Sequence, residues 1–424
     1  MMYRERILVP SRGFLGDIYE FGTQRIFRET TRRAMATRAM FKVFGRVLLR
    51  ANNRLSHRLL TTKTTQKVTS KLFTRLTKES LQQKAQNPIA KRMYLPGSHG
   101  QGFPKYLANA RDDLPYAVQA EAADQLCIME LGQKARAELN EYLPKYGVVL
   151  FRGLPVDNNS AFSEFCDGLG YAPMSYKSGT GNRRKVQGLD RVFTSTEDPK
   201  EFNIELHNEM ACSTIYPRKV IFYCHQAPGD ACGGLTPLAR NSEVFSKLDM
   251  RIIAKLQQRQ IRYHRYLTDE SAGLYASWQQ SFQTDDPREV DKFLDAAGFH
   301  YEWNQSDNSL TYWYILPPII PHPVSGEPKW FTQPHVHHNT YYKESPMFEG
   351  STLPNNKYPT HATYGDGEEF EPEVIQHIRA IGWQCAVGFP WQNGDVMVID
   401  NFLAMHSRLS FTGERKIYAF LTAD

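Results

Sequence analysis

Apolar residues over most of this chain fall into short continuous runs, separated by stretches where they recur at helical spacing. The runs predict buried strands. Tyr146–Arg152 (YGVVLFR) reads as one, ended by Gly153. Ile204–His207 and Lys219–His225 read as two more, divided by Tyr216-Pro217. Residues 299–304, 310–316, 394–400 and 415–422 follow the same pattern. Helical spacing appears at 119–143, with Ile128, Leu131, Ala135, Leu139 and Tyr142 on one face and Gly132 as a discordant position. It recurs at 158–169, which has an Asn/Ser start and a Gly stop. Residues 242–259, opened by Asn241-Ser242, and 287–297 complete the helices. The pattern predicts a mainly β fold with helical insertions (α+β), its core a barrel or double-sheet jelly roll. No internal repeat is found.

The first 90 residues differ in kind. Phe41, Phe44, Leu48, Ala51, Leu55 and Leu59 recur at helical spacing, and Lys42, Arg46, Arg50, Arg54 and Arg58 form a second row. A basic amphipathic helix of this sort lies on anionic membrane surfaces or serves as a mitochondrial transit peptide read by import machinery. Residues 1–90 are therefore expected to be a poorly ordered or targeting extension, and 96–424 the folded domain. The expected location is mitochondrial, with cytoplasmic as the alternative.

Charge sharpens this division. Residues 1–70 hold 15 Lys/Arg against 4 Asp/Glu, a net of +11. The whole chain carries +6, which leaves −5 for the rest. The body thus has no general nucleic-acid footprint. No run of about 18 apolar residues predicts a transmembrane helix. The six cysteines are scattered without a C-x-x-C pair, as free thiols in a reducing compartment are. Cys212, close to the candidate ligands described next, is expected to be a small buried hydrophobe.

The candidate chemistry centres on His207-Asn208-Glu209. Two residues apart, His207 and Glu209 project from the same side of an extended strand. A second histidine from a distant strand, His406, completes two His and one carboxylate, the ligand set of a non-haem Fe(II) oxygenase. Arg415 follows nine positions later at the start of an apolar strand, and its planar fork suits a carboxylate. Cys232-Gly233-Gly234-Leu235-Thr236-Pro237 offers a tight turn and a hydroxyl.

The order H-x-E, G-G-x-T-P, distal His, Arg resembles the taurine dioxygenase/TfdA-like family of Fe(II)/2-oxoglutarate-dependent oxygenases, and within it the clavaminate synthase-like branch. The matching segments are GVVLFRGLPV (147–156), LHNEMACSTIYPRKVIFYCHQAP (206–228), GGLTPL (233–238), TYGDG (363–367) and FPWQNGDVMVIDNFLAMHSR (389–408). The resemblance implies that His207, Glu209 and His406 ligate Fe(II), that Arg415 pairs with the distal carboxylate of 2-oxoglutarate, and that Thr236 hydrogen-bonds it. With O2, such an enzyme oxidises, most commonly hydroxylates, a small organic substrate and releases succinate and CO2. The chain keeps Glu209 where many members have Asp, and a retained carboxylate argues against halogenation.

Other residues compete for notice. His335, His337 and His338 form an H-x-H-H cluster, expected in a loop near the site mouth, where His335 and His337 are substrate candidates. Arg408 either reaches the site or stays solvated. Trp391 is expected to pack the barrel end. Two alternatives stand beside the oxygenase: a cupin-like metal enzyme using the H-x-H-H cluster without 2-oxoglutarate, and a non-catalytic binding protein on an oxygenase scaffold.

Overall fold

In the computed structural model, the residues described are 71–89, 97–99, 102–174, 183–196, 198–273, 277–343 and 345–424. The predicted basic helix at 41–59 lies outside them. The folded body starts earlier than Pro96. Phe73–Arg75 pairs antiparallel with Tyr116–Ala120, and Lys78–Leu81 forms a 3-10 turn. Phe73 and Leu81 are buried, so this stretch is held by apolar burial that its polar flanks conceal in the sequence.

Eight strands form the larger sheet. Their spatial order is Phe73–Arg75, Tyr116–Ala120, Val148–Arg152, Val396–Asp400, Lys219–Gln226, Lys416–Thr422, Leu189–Thr194 and Lys185–Val186. All neighbours are antiparallel except Tyr116–Ala120 with Val148–Arg152. Residues of the central strands alternate between two cores. Val149, Phe151, Ile221, Tyr223, Val396 and Val398 face one core, which also holds Leu131, Ala135, Phe162 and Phe165 of two helices, Ile128–Tyr146 and Asn159–Leu169. Val148, Leu150, Val220, Phe222, Met397 and Ile399 face the other. Burial on both faces explains why these strands read as continuous apolar runs. The second core is shared with Leu238, Val387 and Ala404 of a five-stranded sheet. That sheet runs Ala108–Asn109, Val387–Gly388, Leu238–Arg240, Ala404–Arg408, Ile204–His207. The protein is mostly sheet with several helices, and its two larger sheets pack against each other.

A separate four-stranded sheet, His300–Asn304, Ser309–Leu316, Ile261–Leu267 and Thr360–Tyr364, is the main insertion. Among the described residues no helix is long and apolar enough to cross a membrane.

Several predicted boundaries move. The helix expected over 119–143 is Ile128–Tyr146, and Tyr116–Ala120 before it is a strand. Its start is set by Glu130, whose carboxylate accepts the Cys127 N–H at 3.1 Å. The helix expected over 242–259 is two, Asn241–Lys247 and Met250–Arg259. Asp249 caps the second by accepting the Arg251 N–H. The Pro372–Cys385 helix was not foreseen; it is buried nearly all round and so lacks a polar stripe.

Gly132, discordant in the pattern, has a packing reason. A Cβ there would lie 2.4 Å from Phe165 O and 2.8 Å from Gly168 Cα on the neighbouring helix. Both obstacles are backbone. Gly132→Ala is expected to destabilise the protein by about 1–3 kcal/mol despite the better helix propensity of Ala. Thermal unfolding of purified protein measures it; an unchanged or raised Tm would show that the helices separate at little cost.

Candidate active site

The site lies between the two packed sheets. Ile204–His207 and Ala404–Arg408 are adjacent antiparallel strands, with His406 directly opposite His207. Cross-strand partners project from one face, so the two imidazoles stand together, ring centroids 4.3 Å apart. His406 sits inside its strand, as the second histidine from a distant strand was expected to. Phe222, from the larger sheet, closes on it edge-on at 5.0 Å.

Glu209 arrives by a different route from the one its spacing suggested. The strand ends at His207, and Glu209 occupies the turn beyond it, where Met210 takes a positive φ of 56°. Three buried asparagines fix that turn. Asn401 accepts the Glu209 N–H at 2.7 Å and donates to the carbonyls of Glu209 and Pro217 at 2.9 and 2.8 Å. Asn208 donates to the carbonyls of Asn401 and Ala404 at 2.7 and 3.0 Å, and Asn241 donates to those of Trp330 and Phe402 at 2.7 and 3.1 Å. The middle residue of H-N-E is thus structural. It ties the turn to the loop just before His406.

The candidate ligand atoms of His207, Glu209 and His406 lie within 4.8 Å of one another, and His406 Nε2 is 3.5 Å from Glu209 Oε2. His207 Nδ1 bonds the Glu205 carbonyl at 2.8 Å, which places the proton on Nδ1 and leaves the Nε2 lone pair free. Burial, and then the neighbouring His406, hold His207 down to about 3; burial also lowers His406. Both rings are therefore neutral donors at pH 7. Burial alone raises the Glu209 carboxyl, but Arg183, 2.5 Å away, and His406 outweigh it and hold it at about 2. Two neutral imidazole nitrogens and an ionised carboxylate oxygen fit a divalent first-row metal.

These residues line a cavity of about 280 Å3 that also receives Thr236 and Arg415. Gly233 and Gly234 have φ of 76° and 72°. A Cβ on Gly233 would meet Ser410 O at 2.3 Å, and one on Gly234 would meet Arg415 Cδ at 3.0 Å. The paired glycines therefore let the turn lie against the Arg415 side chain. Arg415 donates through Nε to Gly234 O at 2.7 Å and through Nη2 to Thr236 Oγ1 at 3.1 Å. Burial and the nearby Arg408 lower it to about 9, still a cation at neutral pH, and among the described residues it has no carboxylate partner. Trp391 Nε1 gives Thr236 Oγ1 a second donor at 3.0 Å. With both acceptor positions filled, the Thr236 O–H can only donate. The indole is more than barrel-end packing.

Comparison with known proteins decides what this arrangement belongs to. Residues 110–421 match the family described as taurine catabolism dioxygenase TauD, TfdA family. The chain belongs to the TauD/TfdA dioxygenase family. It is thus a non-haem dioxygenase dependent on Fe(II), 2-oxoglutarate and O2. It is 37% identical over 282 residues to the dapdiamide synthesis protein DdaC of Enterobacter agglomerans, covering 66% of this chain and 83% of that one. A clavaminate synthase-like protein of Arabidopsis thaliana is 28% identical over 289 residues, 67% and 83% of the two chains. Among solved structures, an asparagine oxygenase holding Fe(II), 2S,3S-3-hydroxyasparagine and succinate aligns with a TM-score of 0.45 and 14% identity, over 73% of this chain and 94% of that one.

Other candidates in the dioxygenase separate. His337 lines the cavity, and burial, with Arg265 and His207 adding to it, lowers it to about 3. His335 does not line it. His335 Nε2 donates to Leu206 O at 2.8 Å, and the His335 carbonyl accepts from Arg379, so this residue bolts its helix to the strand bearing His207. Arg408 is not solvated. It lines the cavity but spends its guanidinium on the carbonyls of Asp198, Pro199 and Phe202 at 2.6–2.9 Å, holding that loop. Cys212 is fully buried in the apolar core around Leu206 and Tyr263, as expected of a small hydrophobe.

The three histidines of H-x-H-H do not converge. His338 instead groups with His361 and Glu369, ligand atoms within 4.8 Å. In that group His361 Nε2 bonds Glu369 at 3.0 Å and Nδ1 accepts the Asn339 N–H at 3.3 Å, so both ring nitrogens are committed to internal hydrogen bonds. The cupin-like alternative loses its ligand set. Arg183 and the three asparagines were missed. No spacing rule marks them, because their partners are 26 to 196 residues away.

Proposed function

We propose that this dioxygenase holds Fe(II) through His207, Glu209 and His406, anchors 2-oxoglutarate through Arg415 and Thr236, and hydroxylates a small organic substrate lodged in the same cavity. The observation that carries the reading is Arg415, a buried cation without a carboxylate partner among the described residues, in the cavity that holds the triad. A buried charge left this way is costly, and a carboxylate ligand removes the cost. When bound, iron, 2-oxoglutarate and O2 supply the oxidising chemistry and yield succinate and CO2. The protein contributes geometry. The asparagine network sets Glu209, the Glu205 carbonyl sets the His207 tautomer, and Trp391 and Arg415 direct the Thr236 hydroxyl outward as a donor. The two packed sheets fit a jelly-roll (double-stranded β-helix) core. Kinship with a dapdiamide synthesis protein supports a small-molecule substrate. His337 is the substrate-facing residue of the H-x-H-H group. Because Phe73–Arg75 already belongs to the folded body, only the basic residues 1–70 are proposed as a mitochondrial targeting extension, and a diffuse cytosolic signal from a fluorescent fusion of those residues would end that part.

The direct test is succinate release from purified protein given Fe(II), ascorbate and 2-oxoglutarate. Slow uncoupled turnover is expected without substrate. No iron binding and no succinate would leave a binding protein on an oxygenase scaffold.

A further inference from the structure

Gln333 and His337 line the cavity, and both are buried, Gln333 to 3% exposure. Their side chains are joined, Gln333 Nε2 to His337 Nε2 at 3.0 Å. Gln333 Oε1 is left buried without a hydrogen-bond partner among the described residues. An unpartnered buried amide oxygen costs free energy unless a ligand meets it.

The pair is rigidly placed. The Gln333 N–H donates to Tyr263 Oη at 3.0 Å, and Tyr263 Oη also bonds Thr332 Oγ1 at 2.8 Å. Thr360 Oγ1 donates to the His337 carbonyl at 3.0 Å. The Tyr263 ring stands edge-on to the imidazole at 5.5 Å. His335, two residues earlier, ties the helix to Leu206, beside His207.

The polarity of the pair follows from its internal bond. A neutral His337 that accepts at Nε2 carries its proton on Nδ1. The unspent groups are then two donors, His337 Nδ1–H and the second Gln333 amide N–H, and one acceptor, Gln333 Oε1. Turning the Gln333 amide by 180° exchanges the roles but again leaves two donors and one acceptor, the two Gln333 N–H groups and His337 Nδ1. A carboxylate has only acceptors and an ammonium only donors, so each meets at least one mismatched atom.

We propose that Gln333 and His337 form a neutral subsite that reads a carboxamide on the substrate, the amide oxygen accepting from one residue and the amide N–H donating to the other. This rests on the reading of the cavity as the substrate site. It runs against the local charge, since Arg183, Arg408 and Arg415 also line the cavity and by themselves favour an acid.

The experiment uses full-length protein loaded with Zn(II) in place of iron and saturated with 2-oxoglutarate. Ligand-observed NMR compares butyramide with butyrate, and benzamide with benzoate. Each amide is expected to bind about 10-fold more tightly than its acid, the size of one satisfied hydrogen-bond pair. Gln333→Met and, separately, His337→Phe are expected to reduce that ratio to about one or below, with 2-oxoglutarate affinity unchanged. Equal binding of amide and acid to the unmodified protein, no amide binding, or a preference that survives in a folded variant overturns the subsite. Failure of Zn(II) or 2-oxoglutarate to bind the unmodified protein overturns the cofactor assignment instead, so the two failures are told apart.

Discussion

His406→Ala protein is expected to lose Fe(II) affinity by more than about 100-fold and to release no succinate above background. Loss of an outer-shell partner alone typically costs about 10–100-fold in metal affinity or activity. His406 is a candidate inner ligand, and its Nε2 stands 3.5 Å from the carboxylate that would share the ion. His207→Ala is expected to behave alike, because the two rings are cross-strand partners on one face. Both positions sit in a packed interior, so truncation also opens a hole. His406→Gln keeps much of the volume and serves as the folding control. Metal content after Fe(II) reconstitution, read with circular dichroism, separates a lost ligand from a lost fold. A folded His406→Gln protein with full iron content and undiminished succinate release would falsify the assignment.

How much of this could be read from sequence follows from the range over which each signal acts. The central strands announced themselves because VVLF, KVIFYC and VMVI are buried on both faces, and runs this short and rich in β-branched and aromatic residues favour strand over helix. Asn158 and Gly170 bracketed their helix because capping is local, and the Asn158 side chain accepts the N–H of Ser160 and Ala161 within three residues. The H-x-E pair was legible as chemistry but not as geometry. Its spacing suggests a strand, yet Glu209 is held in a turn by Asn401, 192 residues away. Trp391 packs in the core as expected, but its bond to Thr236, 155 residues distant, was missed for the same reason. Arg408 was left between site and solvent because a charged residue is usually solvated. Three backbone carbonyls of one loop made burial tolerable. The Pro372–Cys385 helix lacked the periodic signal that marks half-exposed helices.

Replacing Arg415 by Gln is expected to raise the 2-oxoglutarate concentration needed for half-maximal succinate release by about 10²–10³-fold, with a smaller effect on the rate at saturation. A charge-assisted, two-pronged contact to a buried carboxylate is worth a few kcal/mol, and about 1.4 kcal/mol corresponds to tenfold. The neighbours of Arg415 make the prediction specific. Its Nε and Nη2 are spent on Gly234 O and Thr236 Oγ1, which orient the fork and leave further N–H groups for a ligand. Gln keeps a donor at shorter reach but no charge, and its loss of the Thr236 contact frees that hydroxyl to rotate. Arg415→Lys restores the charge as a point rather than a fork, so partial recovery, about 10-fold, is expected. A merely structural Arg415 would give a different pattern. Stability would fall, Lys would not rescue selectively, and the 2-oxoglutarate requirement would stay put while total activity declined. Initial rates across 2-oxoglutarate concentrations, paired with Fe(II) affinity measured without cosubstrate, distinguish the two. An unaltered 2-oxoglutarate requirement in folded, iron-loaded Arg415→Gln protein would move the anchor elsewhere in the cavity, with Arg183 and Arg408 the remaining guanidinium groups that line it.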